Sequence, residues 1–239
     1  MPLYYEAVKD YSPIIAGVAL FPDTFTVAPL AVVTGISITV TGHYRWAVWS
    51  GWALTVLGVG LLVILKVDTT IPAWIFLTMV FGVGLGILFP SMQFSLQAAT
   101  TNKDMGFAVA MFSFFRTFGQ AIGVAVGGVI FQNQMEKKLR AYPQFASQAN
   151  ELAKDAAALV QVIKATPDGQ DKLDLRTAYV DSVRVIFIVL CALGAVALVS
   201  SFFLKSYDLN RALETEQGFK AEQKSKENVA EQGKAADEI

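Results

Sequence analysis

Residues 107–132 read FAVAMFSFFRTFGQAIGVAVGGVIFQ, 26 residues that carry one charge, Arg116. A bilayer core about 30 Å thick is crossed by roughly 20 apolar residues in a helix. This stretch is long enough to span. Four further runs have the same character: residues 14–40, 46–65, 73–99 and 183–204. Short polar breaks separate the first four: TGHYR (41–45), KVDTTIP (66–72) and TTNKDMG (100–106). Each suits a turn at a membrane surface. No outer-membrane strand alternation is present. The fold expected is an all-α integral membrane bundle of about five transmembrane helices, with a long loop before the last.

Composition supports this and excludes other classes. The chain has 239 residues, 54% hydrophobic and only 16% charged, with a mean hydropathy of +0.48. A soluble domain carries about 25% charged residues. A single cysteine, Cys191, and a single histidine, His43, exclude a disulfide scaffold and a Cys/His zinc site. No motif asks for a cofactor or metal. A net charge of −1 gives no footprint for nucleic acid. No Ser/His/Asp or Cys/His set suggests an enzyme.

The charges divide the chain. Of 39 charged residues, three lie before residue 12, seven between 12 and 132, and 29 from 133 onward. The organisation expected is 1–132 membrane helices (a stub plus four spans), 133–182 a long extramembrane loop, 183–204 the last span and 205–239 a charged tail. Within the loop, Leu152, Ala156, Leu159, Val160 and Ile163 recur at helical spacing, and Thr166-Pro167-Asp168-Gly169 reads as a turn. The tail reads as a frayed helix or disordered. Trp46, Trp49, Trp52, Trp74 and Tyr44 cluster at run ends, where aromatic rings favour the interface. Counting Lys and Arg favours the long loop inside, although its acidic residues nearly balance its basic ones.

Charges inside a span are expensive, roughly 2.5–3.5 kcal/mol each on insertion scales, and point to function. Asp23 and Arg116 are the two. Each lies about 14 Å along its helix, from opposite faces of the membrane, so both reach the midplane. The reading is a polar cavity in which Asp23 meets a cation or proton and Arg116 an anion or carboxylate; the bland alternative is a buried structural pair or separate snorkelling contacts. Pro22 and Pro29 beside Asp23 loosen the helix and suit a cavity wall. Arg116, Gln120, Gly123 and Gly127 share one face, bordered by Gly119 and Gly128. For these glycines the expected role is close helix packing. Gln93 and Gln97 share a face of the third span, lining a cavity or bonding between helices. Gly82, Gly84 and Gly86 form a G-x-G-x-G run without the strand that a nucleotide loop needs.

The string MPLYYEAVKDYSPIIAGVALFPDTFTVAP (1–29) resembles the fungal fourteen-span drug:proton antiporters of the major facilitator superfamily. The resemblance continues through RWAVWSGW, PAWIF, GVGLGILFPSMQFSLQA, TNKDM and AMFSFFRTFGQAIGVAVGGVIFQNQM, nearly all of residues 2–135. It implies that the five spans are the tenth to fourteenth helices, with a cytoplasmic C-terminus and the long loop outside, against the charge count. It also implies proton-driven export of drugs, toxins or secondary metabolites across the plasma membrane rather than the vacuolar one. Arg116 matches the family's arginine in FFR-x-F-G-Q. Asp23 stands where relatives more often carry Gln. The resemblance further implies that the N-terminal bundle is absent, so the expectation is a truncated exporter, not competent alone. Its partners would be lipid, protons, a small-molecule substrate and the missing bundle or a full-length transporter. The alternative is a short five-span membrane interaction protein without transport activity.

Overall fold

The computed structural model describes residues 1–101, 103–205 and 207, and among these it is all α-helix and turn. In chain order the helices are α1 (Pro2–Lys9), α2 (Pro13–Val18), α3 (Phe21–Thr41), α4 (Arg45–Leu62), α5 (Ile71–Ala99), α6 (Met105–Leu139), α7 (Ala149–Lys154), α8 (Ala156–Ala165) and α9 (Gln170–Ser201). Four helical stretches are long and apolar enough to cross a membrane: Pro13–Thr41, Ile71–Ala99, Met105–Leu139 and Gln170–Ser201. The shorter fifth, α4, has 18 residues and carries Arg45 and three tryptophans. The architecture is that of a multi-pass membrane protein.

The breaks have local causes. Gly42 ends α3 at φ 68, a left-handed turn that glycine takes without strain. The run 14–40 is two helices. α2, capped by the Ser12 hydroxyl accepting from the Ile15 N–H, stops at Val18. α3 restarts with Pro22 in its first turn, a position where proline's missing N–H leaves no bond unmade.

α5 is the centre of the bundle. Its G-x-G-x-G run splits between two neighbours. Gly82 and Gly86, four apart, turn to α3; Gly84 turns to α4. A Cβ built on Gly84 would stand 2.5 Å from the Thr55 nitrogen, and one on Gly86 2.8 Å from the Val27 oxygen. α4 answers with Gly58, where a Cβ would stand 2.5 Å from Phe81 Cα, and Gly51. Close backbone approach in lipid needs residues this small. α9 packs on α4 and α6.

The sequence boundaries need correction at the loop side. The segment 133–182 is not mainly a loop. α6 runs on to Leu139 and α9 starts at Gln170, well before Val183. Beyond the apolar run both helices turn amphipathic. Met135 and Leu139 are buried against the α9 surface that holds Leu175, Ala178 and Tyr179. The stub is a helix too, with Tyr4, Tyr5, Ala7 and Val8 buried. The expected amphipathic helix is broken at Asp155: Leu152 lies on α7, while α8, capped by the Asp155 carboxylate, buries Leu159, Val160 and Ile163, and residues 166–169 are the turn before α9.

Ion pairs join these parts into a cap. Asp10, left-handed at φ 59, ends α1 and accepts from Lys172 at 3.0 Å and Arg176 at 2.9 Å on α9. Lys164 of α8 meets Glu6 at 3.1 Å, and Lys138 of α6 meets Asp181 of α9 at 2.8 Å. Lys9 donates to the Val67 and Thr69 carbonyls, both at 2.7 Å, and desolvation pulls its ammonium below the usual lysine range. Tyr4 donates to the Lys66 carbonyl at 2.9 Å, and burial pushes its phenol up to about 12.

Two aromatic residues expected at the lipid interface are internal instead. Trp74 packs on Tyr5, ring centroids 4.7 Å apart. Tyr44, at the opposite end from the cap, donates to the Lys205 carbonyl and accepts from the Tyr207 N–H. The tail expectation for 206 and 208–239 lies outside the described residues.

Candidate functional site

The break between α2 and α3 sets Asp23 in the first turn of a helix although it lies well inside a span. Free N–H groups and the positive end of the helix dipole favour a carboxylate there. One carboxylate oxygen, Oδ1, is closed off from solvent and has no hydrogen-bond partner within the protein. It rests against Gly82 of α5, where a Cβ would stand 2.8 Å from it. Glycine at 82 therefore makes the space that this carboxylate occupies.

Arg116 lies on α6. Its guanidinium carbon sits 4.7 Å from the centroid of the Phe89 ring on α5. A cation over an aromatic face is attracted by the ring's negative quadrupole. Asp23 and Arg116 are not a pair, and neither joins an ion pair among the described residues.

The two are nonetheless organised by one element. Gly82, Phe89, Gln93 and Gln97 follow one another on α5 at steps of seven, four and four, which keeps them on one face. Asp23 touches this stripe at Gly82 and Arg116 touches it at Phe89. The contact points are about 10 Å apart along the helix. Gln93 and Gln97, both half-buried, continue the stripe toward the 100–104 turn. Gln120 stands one turn beyond Arg116 on α6. Asp23 and Arg116 thus touch the stripe at separate points, and Gln93 and Gln97 lie further along it.

Every residue of α6 from 113 to 126 is exposed, Arg116 and Gln120 included. Gly119, Gly123, Gly127 and Gly128 meet nothing within 4 Å of a built Cβ. Among the described residues the close packing belongs to α4 and α5, and the α6 glycines have no neighbour that uses their small size.

Sequence reasoning missed the burial of Tyr5 and read Trp74 only as an interface aromatic. Tyr5 is fully buried, yet its hydroxyl lacks a hydrogen-bond partner; the indole N–H of Trp74, 3% exposed, lacks one as well. Burial pushes the Tyr5 phenol up, and Tyr4, Asp23 and Tyr11 add to the shift. The signal available in sequence was the aromatic pair inside PLYYEAV, which reads equally as packing.

The long apolar helices define a multi-pass membrane bundle. Similarity to known proteins agrees. The chain is 55% identical to MFS transporter L2 of a Phoma species over 227 residues, 95% of this chain and 38% of that protein. It is 31% identical to the efflux pump FUS6 of Gibberella moniliformis over 96% of its length, and 32% identical to the efflux pump dotC of Dothistroma septosporum over 94%. The chain is homologous to part of these fungal major facilitator proteins and spans about two-fifths of their length. No family model and no solved structure matches.

Proposed function

We propose that the chain forms part of a proton-coupled exporter of small molecules. In this reading the α5 stripe is one wall of the substrate and proton pathway, Arg116 meets it at Phe89, and Gln120 stands on the open face of α6. The observation that carries the reading is the open α6 face: an arginine and a glutamine lie uncovered in the middle of an apolar helix long enough to span. Lipid is a poor neighbour for both groups, so a second helical bundle and a polar cavity are the fitting cover. The relatives' names support transport, and an interaction protein without transport activity is not favoured. Export to the exterior fits the plasma membrane better than the vacuolar one, which fluorescence microscopy of a tagged chain decides.

The test joins the chain to the remainder of its 55% identical relative, reconstitutes the product and measures efflux driven by a pH gradient. Arg116→Ala is expected to lower flux at least tenfold, with Gln120→Ala lowering it less. Asp23→Asn is expected to alter export of cationic substrates. Full activity in all three variants would remove the reading.

A further inference from the structure

The turn between α4 and α5 is fixed by its main chain and leaves its charged side chains free. Tyr4 donates to the Lys66 carbonyl, and Lys9 donates to those of Val67 and Thr69. The Thr69 hydroxyl accepts from the Lys66 N–H at 2.8 Å. The Lys66 ammonium and the Asp68 carboxylate join no ion pair among the described residues. Lys9 feels the Asp68 charge, but its ammonium is committed to the two carbonyls. Lys66 and Asp68 line one cavity of about 300 Å³, walled on the other side by the α9 face that carries Leu173, Val180, Asp181 and Arg184. That volume is at the low end for ligand pockets, about 300–1,000 Å³. Arg184 is held in place there. Its Nε donates to the Val63 carbonyl at 3.0 Å, and its Nη1 lies 3.5 Å from Asp181, which Lys138 also engages. Its Nη2 has no partner among the described residues. A guanidinium fixed in this way offers donors whose planar geometry suits a phosphate.

We propose that this cavity binds the headgroup of a phospholipid that carries a primary amine, as in phosphatidylethanolamine. The phosphodiester lies between Lys66 and Arg184, and the ammonium meets Asp68. The depth fits. Val63 closes α4, and Val183 opens the apolar run of α9, so the cavity stands where the hydrocarbon layer gives way to headgroups. Ile64 and Ile188, one beside each wall, are exposed and leave a path for acyl chains. Basic pockets between membrane helices are suited to lipid headgroups. The charges select among those headgroups. Lys66 and Asp68 are two residues apart, at most about 7 Å along the chain, a span suited to the two-carbon link between phosphate and amine. A quaternary amine is recognised by aromatic faces, and no aromatic residue lines this cavity among the described residues. A headgroup without an amine would leave Asp68 beside the phosphate with nothing to neutralise it.

The site is independent of the transport reading, and its test needs no transport. The full chain in detergent is titrated with short-chain phosphatidylethanolamine, phosphatidylcholine and phosphatidylglycerol. Glycerophosphoethanolamine and inorganic phosphate, which lack acyl chains, are titrated separately. Native mass spectrometry reads the bound fraction. Phosphatidylethanolamine is expected to bind about tenfold more tightly than either other lipid. Asp68→Asn is expected to erase that preference and leave the weaker binding of the other two in place. Lys66→Gln is expected to weaken all three lipids about tenfold, since each has the phosphate. Both side chains are exposed and unpaired, so neither variant should disturb the fold, and circular dichroism checks this. Lys154→Gln, exposed on α7 in the same cap, is the control and should change nothing. Equal affinity for phosphatidylethanolamine and phosphatidylcholine overturns the proposal. So does tightest binding of phosphatidylglycerol, or a loss in Lys154→Gln as large as that in Lys66→Gln, either of which would mean attraction by surface charge alone. Binding of glycerophosphoethanolamine or phosphate as tight as that of the lipid also overturns it, because the cavity would then hold a soluble anion and not a membrane lipid.

Discussion

The glycines of α5 and α6 recur at short spacing, and the two helices use them in opposite ways. On α5, Gly82, Gly84 and Gly86 are pressed against the backbones of α3 and α4. On α6, Gly119, Gly123, Gly127 and Gly128 border open space. The residue type is the same, and both helices are apolar enough to span. The difference lies in what stands opposite. Glycine spacing shows that close approach is permitted; only a partner surface shows that it is used. The α6 face also carries Arg116 and Gln120, which the α5 contacts do not.

The largest expected effect tests the packed side. Gly58→Val or Gly84→Val drives a side chain into main-chain atoms that cannot yield. Either should destabilise the bundle by about 3 kcal/mol, the upper end for overpacking. Thermal unfolding in detergent measures this, and wild-type melting of either variant would break the contrast. The open side should behave in reverse. Gly123→Ala meets no neighbour and replaces glycine within a helix, so this chain should gain up to about 1 kcal/mol. The same change in the joined pump should reduce efflux if another bundle covers α6. A stabilised chain with undiminished efflux would leave the face open in the intact protein too.

Smaller effects sharpen the cap against the bundle. Asp10→Asn weakens two ion pairs that are partly exposed, worth about 0.5–1 kcal/mol and less at high salt. Limited proteolysis between α1 and α2 should accelerate while the spans stay protected. The smallest effect comes from Asp168. Its hydrogen bond and ion pair with Lys172 hold its carboxyl below the usual range. A depressed carboxyl stabilises the folded state above its ordinary value of 3.8. That contribution is lost as pH falls through the lower folded value. Cap protection should therefore decline only below about pH 4, and Asp168→Asn should flatten that decline.

Much of the fold was legible because the lipid requirement is one-dimensional. A helix must be apolar for the width of the bilayer, so TGHYR, KVDTTIP and TTNKDMG mark the turns wherever the helices pack. What run-counting cannot see is a helix that leaves the bilayer without ending. At Met135 and Leu139 the burial partner is α9, and the intervening Glu136, Lys137 and Lys138 look like a loop to any hydropathy window. α1 was hidden for a similar reason, since eight residues with one buried face make no apolar run. At the site, Asp23 and Arg116 were visible as charges in the wrong solvent. Their shared stripe on α5 was not, because Gly82 and Phe89 carry no chemistry of their own. Tyr5 and Trp74 were silent because an unmet hydrogen bond is a property of surroundings.

The contacts that pin α1 to the far end of the chain also impose an order of assembly. Glu6 to Lys164, Asp10 to Lys172 and Asp10 to Arg176 join residues 158, 162 and 166 positions apart. None can form until synthesis has carried the ribosome past α8 and into α9. While the earlier spans enter the membrane, α1 can meet only residues 66–74, through Tyr4, Tyr5 and Lys9, and Glu6 and Asp10 remain without their ion-pair partners. Emergence of α9 is thus the event that closes the cap, and a nascent chain stalled before Lys164 would hold its helices with the cap unsealed.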